Sequence, residues 1–181
     1  MTPAGRSRFG LVILAGALLR VAALMLPATS DVPLFKVWTY NATTLGVTEV
    51  YGVGGAFPYR RPLEFGGVEA KVDYPPLALY ELAAVGALYS WANGGRFPDS
   101  QALTIAIKMP AVVCDIGMLW LIFAAVRHFT RDEAAARTWA LAVWLNPASI
   151  LIGSVLGYLD PLFVLPVTGA LVAVAAGRPG V

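Results

Sequence analysis

The stretch Ala102–Val126, ALTIAIKMPAVVCDIGMLWLIFAAV, decides the fold class of this chain. It is apolar almost throughout and exceeds the roughly 20 residues that a helix needs to cross the hydrocarbon core of a bilayer. Arg127, His128 and Arg131 follow it closely. Basic clusters of this kind favour the cytoplasmic side of a membrane. The stretch therefore predicts a spanning helix whose C-terminal end lies in the cytoplasm.

The composition of the whole chain agrees with this assignment. Of 181 residues, 58% are hydrophobic and only 13% are charged, which is too apolar for an ordinary water-soluble globule. The net charge of +2 is small and scattered, so the sequence does not indicate a nucleic-acid partner. We expect an all-α, polytopic helical membrane protein in contact with membrane lipids.

Four segments are predicted to span the membrane: residues 9–27, 102–126, 139–156 and 161–176. Arg6 and Arg8 precede the first segment and favour a cytoplasmic N-terminus. A cleaved signal peptide is the alternative for this segment. Arg20 interrupts its apolar run and no clear cleavage site follows, so we expect an anchor.

Residues 28–74 are polar and aromatic and are predicted to form an external loop that carries short juxtamembrane helices. Within the loop, Ser30–Pro33 is typical of a helix start and Gly46 of a helix stop. Apolar residues recur at helical spacing between these points. They predict a helix on the membrane surface with Trp38 among the lipid headgroups.

The segment Val72–Tyr80 contains an acid and two consecutive prolines at the start of an apolar run. A helix can begin only after Pro75 and Pro76, which leaves Asp73 on its rim. The run 76–92 is short for a full crossing and could be re-entrant instead. A segment without a net crossing is favoured, because it keeps the basic cluster after Val126 in the cytoplasm.

This topology puts Asp31, Asp73 and Asp160 on the extracytoplasmic face, each beside a helix end or a turn. A carboxylate in such a place can serve as a general base, and Asp31 is the best candidate. Asp31 could equally cap the helix that it begins. A zinc site is not indicated, and Mg²⁺ or Mn²⁺ held by carboxylates is possible but not favoured.

Three further charged residues lie within or at the ends of the predicted spans. Arg20 and Asp115 are each about 10 to 12 Å from the outer end of their segment, counting roughly 1.5 Å per residue. Ionised groups at such depth usually find a partner, so we expect an Arg20–Asp115 pair with a structural role or a role in a proton or substrate path. Lys108, near the external end, could reach lipid headgroups or bind the phosphate of a lipid substrate.

The order of these motifs resembles the N-terminal part of the GT-C membrane glycosyltransferases. The likeness runs from about residue 10 to 176 and is greatest to the glucosyltransferases that use dolichol-phosphate-glucose and the bacterial mannosyltransferases that use polyprenol-phosphate-mannose. The motifs that carry it are Asp31 with Trp38, Asp73-Tyr74-Pro75-Pro76, Lys108-Met109-Pro110-Ala111 with Asp115, Asn146-Pro147, and Gly157-x-x-Asp160.

The resemblance implies a hexosyltransferase that moves a sugar, with inversion, from a polyprenyl-phosphate donor to a hydroxyl of a lipid-linked or glycan acceptor. It implies that Asp31 is the base and that no cofactor or metal is required. Asp73 and Tyr74 would shape the cavity, Lys108 would hold the lipid phosphate, and Asp160 would line the site. The chain, treated as one transmembrane module over 1–181, would be the N-terminal part of a larger GT-C fold in a bacterial plasma membrane.

Two other functions are compatible with the sequence. A small transporter would use Arg20, Glu81 and Asp115 as a polar path through a helical bundle. A non-catalytic membrane subunit would use its external aromatic loop to bind a partner.

Overall fold

A computed structural model describes residues 3–54 and 62–177. Its α-helices are α1 Pro3–Ala23, α2 Asp31–Thr44, α3 Val47–Gly54, α4 Pro76–Ala92, α5 Gln101–Thr130, α6 Glu133–Trp144, α7 Pro147–Ser149 and α8 Asp160–Ala175. A π-helix, Ile150–Leu156, follows α7. The helical class predicted from the sequence is thereby confirmed, with one addition described next.

A small β-hairpin lies in the predicted external loop, residues 28–74. Strands β1 (Leu63–Phe65) and β2 (Val68–Ala70) pair antiparallel, with Leu63 opposite Ala70. Gly66 and Gly67 connect them with φ of 62° and 76°. Two consecutive positive φ angles are what a two-residue hairpin turn requires, and glycine adopts them without strain. Its strands have only three residues each, too few for an alternating pattern to be recognised in the sequence.

The chain forms two compact units, where the sequence analysis treated it as one module. Residues 28–107 form the first, which we call the loop unit. Residues 1–27 and 108–181 form the second, which we call the helical unit.

Within the described ranges 3–54 and 62–177, two segments are long and apolar enough to cross a membrane: α5, and the 24-residue run Glu133–Leu156 that contains α6, α7 and the π-helix. They coincide with the predicted spans 102–126 and 139–156 and support membrane association. Helix α8 is apolar but has 16 residues, fewer than a typical crossing. The spans at 9–27 and 161–176, the sidedness and the polytopic arrangement stay predictions.

Helix α2 is the core helix of the loop unit. It begins at Asp31 and ends just before Gly46, as the capping pattern predicts. The prediction that Trp38 lies among the lipid headgroups is wrong, because Trp38 is only 2% exposed. The Trp38 indole Nε1 donates to the carbonyl of Lys71 at 3.1 Å. Apolar residues at helical spacing therefore marked a buried protein face and not a lipid-facing one.

Helix α4 packs against α2 and begins at Pro76, where the double proline predicts. A Cβ atom on Gly86 would lie 2.0 Å from the Thr43 Oγ1 atom, so the glycine permits the close approach of the two helices. The opposite face of α4 is exposed and also apolar. It carries Leu77, Tyr80, Leu88 and Trp91.

Trp144 anchors the helical unit. Its ring is buried with Leu119 and Ala140, and its indole Nε1 donates to the carbonyl of Ile13 on α1 at 3.2 Å. A Cβ atom on Gly16 would lie 2.1 Å from this Nε1 atom, so only glycine leaves room for the indole. The contact fixes α6 against α1.

The π-helix Ile150–Leu156 lies within the predicted span 139–156. It follows the Asn146-Pro147 break, where the Asn146 side chain accepts a hydrogen bond from the amide of Ala148 at 2.9 Å. The wider π turn brings Gly153 against α5, where an added Cβ would be 3.2 Å from that of Ala111. Gly157 then ends the helix in the left-handed conformation, with φ of 82°. π-helical turns are frequent near functional sites.

Candidate functional site

Arg20 and Asp115 form a buried ion pair in the helical unit. The Arg20 Nε atom donates to Asp115 Oδ2 at 2.9 Å, and the two side chains are 0% and 10% exposed. The guanidinium carbon of Arg20 also lies 3.8 Å from the ring centroid of Trp144, a cation–π contact. The structure thus joins the two residues that the sequence analysis paired. Whether the pair serves structure or a polar path stays a prediction.

The remaining nitrogens of Arg20 have no such partner. Both Nη1 and Nη2 are buried, and neither makes a hydrogen bond within the described ranges 3–54 and 62–177. A buried donor left unpaired costs about 1 to 3 kcal/mol, and more when it is charged. The N–H groups of Nη1 and Nη2 are therefore available to an acceptor other than Asp115.

A cavity of about 360 Å³ lies beside this guanidinium, within the helical unit. Its polar lining comes from Arg20, Asp115, Asn146, Ser149, Asp160 and Thr168, and apolar side chains from α5, the π-helix and α8 supply most of the rest. A mainly apolar wall with a few convergent polar groups is typical of small-molecule sites.

Asp160 is the first residue of α8 and is exposed. In the part of the chain that the structure describes, its carboxylate makes no hydrogen bond or ion pair. A negative charge at this end of a helix is favoured by the helix dipole. The Asp160 carboxylate therefore lines the cavity as a hydrogen-bond acceptor, and its charge costs the protein little stability.

Lys108 has a different environment from the one expected. Its side chain is buried, and its ammonium donates to the carbonyl of Leu26 at 2.9 Å and to that of Leu24 at 3.4 Å. These carbonyls follow the last turn of α1, where acceptors lack helical partners. The ammonium therefore stabilises the end of α1. The phosphate-binding role implied by the family resemblance gains no support from this geometry.

Asp31 is the first residue of α2 in the loop unit and is half-buried. Ser30 occupies the N-cap position, and no side-chain capping hydrogen bond is formed. Nor does the Asp31 carboxylate take part in an ion pair or hydrogen bond with any described residue. Asp31 therefore does not cap α2, which was the alternative that the sequence left open.

Tyr74 packs on α2 near Asp31. Its ring centroid lies 5.7 Å from that of Phe35 and 5.3 Å from that of Trp38. Phe35 is one helical turn beyond Asp31, so these rings hold the first turns of α2 in place. The Tyr51 hydroxyl donates to the carbonyl of Tyr74, and burial raises the pKa of this phenol. Asp73, next to Tyr74, is exposed.

The predicted site residues therefore fall into two groups. Asp31, Asp73 and Tyr74 belong to the loop unit, and Arg20, Lys108, Asp115 and Asp160 belong to the helical unit. A pocket shared by the three aspartates stays a prediction. Among the described residues there is no cluster of three or more histidines, cysteines or acids that could hold a metal ion.

Glu81 is a buried acid that the sequence analysis considered only for a transport path. It lies on α4, outside both candidate spans, and within the described residues neither of its carboxylate oxygens has a hydrogen-bond partner. Burial raises its pKa from an ordinary value of 4.5 to about 8. The signal in the sequence was an acid inside an otherwise apolar helix. Its burial against protein required the packing of α4 on α2.

Comparison with known proteins finds no matching family model, no matching curated protein and no matching solved structure. The likeness to GT-C glycosyltransferases therefore rests on the sequence motifs alone.

Proposed function

We propose that this chain is a GT-C glycosyltransferase, or its N-terminal part, acting at the extracytoplasmic face of a bacterial plasma membrane. It transfers a hexose, with inversion and without a metal, from a polyprenyl-phosphate donor to a hydroxyl of a lipid-linked or glycan acceptor. The observation that carries the proposal is the half-buried carboxylate of Asp31 at the start of α2, which makes no hydrogen bond or ion pair with any described residue.

A general base must be unengaged before the substrate arrives, and it must be held in place. Asp31 meets the first condition, because no described residue occupies its carboxylate. It meets the second because α2 is buried between α4 and the β-hairpin and carries the ring contacts with Tyr74.

The reaction follows from the proposed roles. Asp31 takes the proton of the acceptor hydroxyl while the hydroxyl oxygen attacks the anomeric carbon of the donor sugar. The bond between that carbon and the phosphate oxygen breaks, and the polyprenyl phosphate leaves with both electrons. Attack from the side opposite the leaving group inverts the anomeric carbon. Asp73 and Tyr74 shape the acceptor side of the site.

Sugar transfer by the reconstituted protein tests the proposal. Proteoliposomes that contain the full chain are supplied with radiolabelled polyprenyl-phosphate-mannose or polyprenyl-phosphate-glucose and a lipid extract as acceptor. We expect Asp31→Asn to reduce donor-dependent transfer by about 10² to 10⁴-fold, the usual contribution of a general base. Glu69→Gln, which removes a carboxylate from the exposed face of β2, is the matched control and should transfer at the wild-type rate.

The same assay separates the other two functions. A transporter or a non-catalytic subunit would transfer no sugar from either donor, with or without the Asp31 carboxylate. Undiminished transfer by folded Asp31→Asn protein would refute the proposed role of this residue.

A further inference from the structure

We infer that the cavity beside Arg20 binds the hydroxyl-bearing sugar head of a glycolipid, with Arg20 and Asp160 as its recognition groups. The inference deepens the proposed function and rests on it for the reaction that the bound sugar undergoes. The binding itself is argued from the cavity alone.

The first observation is the incomplete pairing of Arg20. The side chain is fully buried and lines the cavity, yet both Nη nitrogens lack an acceptor among the described residues. Asp115 engages only Nε. Trp144 lies against the face of the guanidinium, where it accepts no conventional hydrogen bond. A ligand oxygen in the cavity would remove the cost of these unpaired donors.

The second observation is the mixture of donors and acceptors around the same space. Asp160 offers an acceptor carboxylate. Asn146, whose Oδ1 atom accepts from the amide of Ala148, also lines the cavity. A sugar hydroxyl both donates and accepts, and it therefore matches a lining that does both. A phosphate at neutral pH has acceptors almost exclusively.

Charge favours the same ligand. Arg20 and Asp115 neutralise each other, and Asp160 then leaves the charged lining with a net charge of −1. A phosphate would meet the like charge of Asp160, which repels it. An uncharged sugar avoids this repulsion and still receives charge-assisted hydrogen bonds. The phosphate of the same lipid is therefore expected to bind elsewhere.

The apolar part of the wall completes the match. Met118 and Ile122 on α5, Ile152 on the π-helix and Val164 on α8 line the cavity. These side chains suit a hydrocarbon chain and give the site affinity for a lipid-linked sugar over a soluble one. The volume, about 360 Å³, is near the lower end for small-molecule sites and fits one sugar ring with the first carbons of its tail.

Cys114 allows the inference to be tested without a change to the site. It is the single cysteine of the chain and lines the cavity. The full chain in phosphatidylcholine nanodiscs is treated with N-ethylmaleimide, and the rate of Cys114 labelling is followed by mass spectrometry. Octyl glucoside and octyl phosphate, each below its critical micelle concentration, are compared as protecting ligands with the same tail. Cys114→Ala protein gives the background.

We expect octyl glucoside to slow the labelling and octyl phosphate to leave it unchanged. In Asp160→Asn protein the concentration of octyl glucoside that gives half protection should rise by about 10-fold or more, as expected for the loss of a charge-assisted hydrogen bond. Glu69→Gln is the control for loss of an acid and should behave as wild type. Equal protection by both compounds, stronger protection by the phosphate, or no protection would overturn the inference.

The protection assay and the transfer assay can fail separately. Selective protection in a chain that transfers no sugar would retain the sugar site and refute the proposed reaction. Transfer without selective protection would retain the reaction and refute the sugar site. If both assays succeed, the KM values of Asp160→Asn protein show which sugar the cavity binds. The KM for the donor rises if the cavity binds the donor sugar. The KM for the acceptor rises if it binds the acceptor sugar.

Discussion

Arg20 in the helical unit and Glu81 in the loop unit are both buried ionisable residues, and the two units accommodate them differently. Arg20 has a counter-ion in Asp115 and a ring face in Trp144. Within the described residues Glu81 has no hydrogen-bond partner, and its pKa rises to about 8. A buried charge is retained where the fold supplies an opposite charge. Without one, a buried acid keeps its proton.

Substitution of Arg20 should give the largest effect on stability. Arg20→Met leaves Asp115 buried without its partner and should lower the free energy of unfolding by about 3 to 5 kcal/mol. The double variant Arg20→Met with Asp115→Leu should recover most of this loss, because no unpaired charge remains. Unfolding of the detergent-solubilised protein in SDS titrations measures both. A double variant as unstable as Arg20→Met would show that the pair is not the reason for the loss.

The protonation of Glu81 should make the stability of the protein depend on pH. The folded protein holds this proton up to about pH 8, whereas the unfolded chain releases it near 4.5. Stability from this group is therefore fully present below pH 4.5 and is lost as the pH rises through 8. The unfolding temperature should fall between about pH 5 and pH 9 in wild type and vary less in Glu81→Gln.

Glu69→Gln, an exposed acid on β2, is the control for this measurement. It should retain the full pH dependence of the wild type. If the unfolding temperature of Glu81→Gln protein depended on pH as strongly as that of the wild type, Glu81 would be ionised in the folded state.

An exposed ion pair should contribute least. Lys36 Nζ lies 2.7 Å from Asp99 Oδ1 in the loop unit, and the Asp99 side chain is 42% exposed. Lys36→Met should lower the free energy of unfolding by only about 0.2 to 1 kcal/mol, and the difference should shrink in high salt. If Lys36→Met lowered the free energy of unfolding as much as Arg20→Met, buried and exposed ion pairs would not differ in their contribution to stability.

The sequence predicted the elements whose signals are local. The start of α2 at Asp31, the start of α4 after Pro75, and the spans of α5 and residues 139–156 follow from capping residues, prolines and apolar length. The Arg20–Asp115 pair could also be predicted, because two opposite charges in apolar segments have few other partners.

Features that depend on tertiary packing could not be predicted in this way. Trp38 was expected among lipid headgroups because helical spacing identifies an apolar face but not what covers it. The approach of Gly153 on the π-helix to α5 is a tertiary contact, and the buried state of Lys108 depends on the carbonyls after α1. The role of Asp31 and the pocket for the three aspartates stay predictions.

We propose chemistry for Asp31 and sugar recognition for Asp160. Steady-state transfer from polyprenyl-phosphate-mannose or polyprenyl-phosphate-glucose by Asp31→Asn and Asp160→Asn proteins, at equal amounts of folded protein, tests this assignment most directly. Asp31→Asn should lower kcat by about 10²-fold or more with little change in KM, and Asp160→Asn should raise a KM by about 10-fold with kcat nearly unchanged. A wild-type kcat in Asp31→Asn would contradict the account.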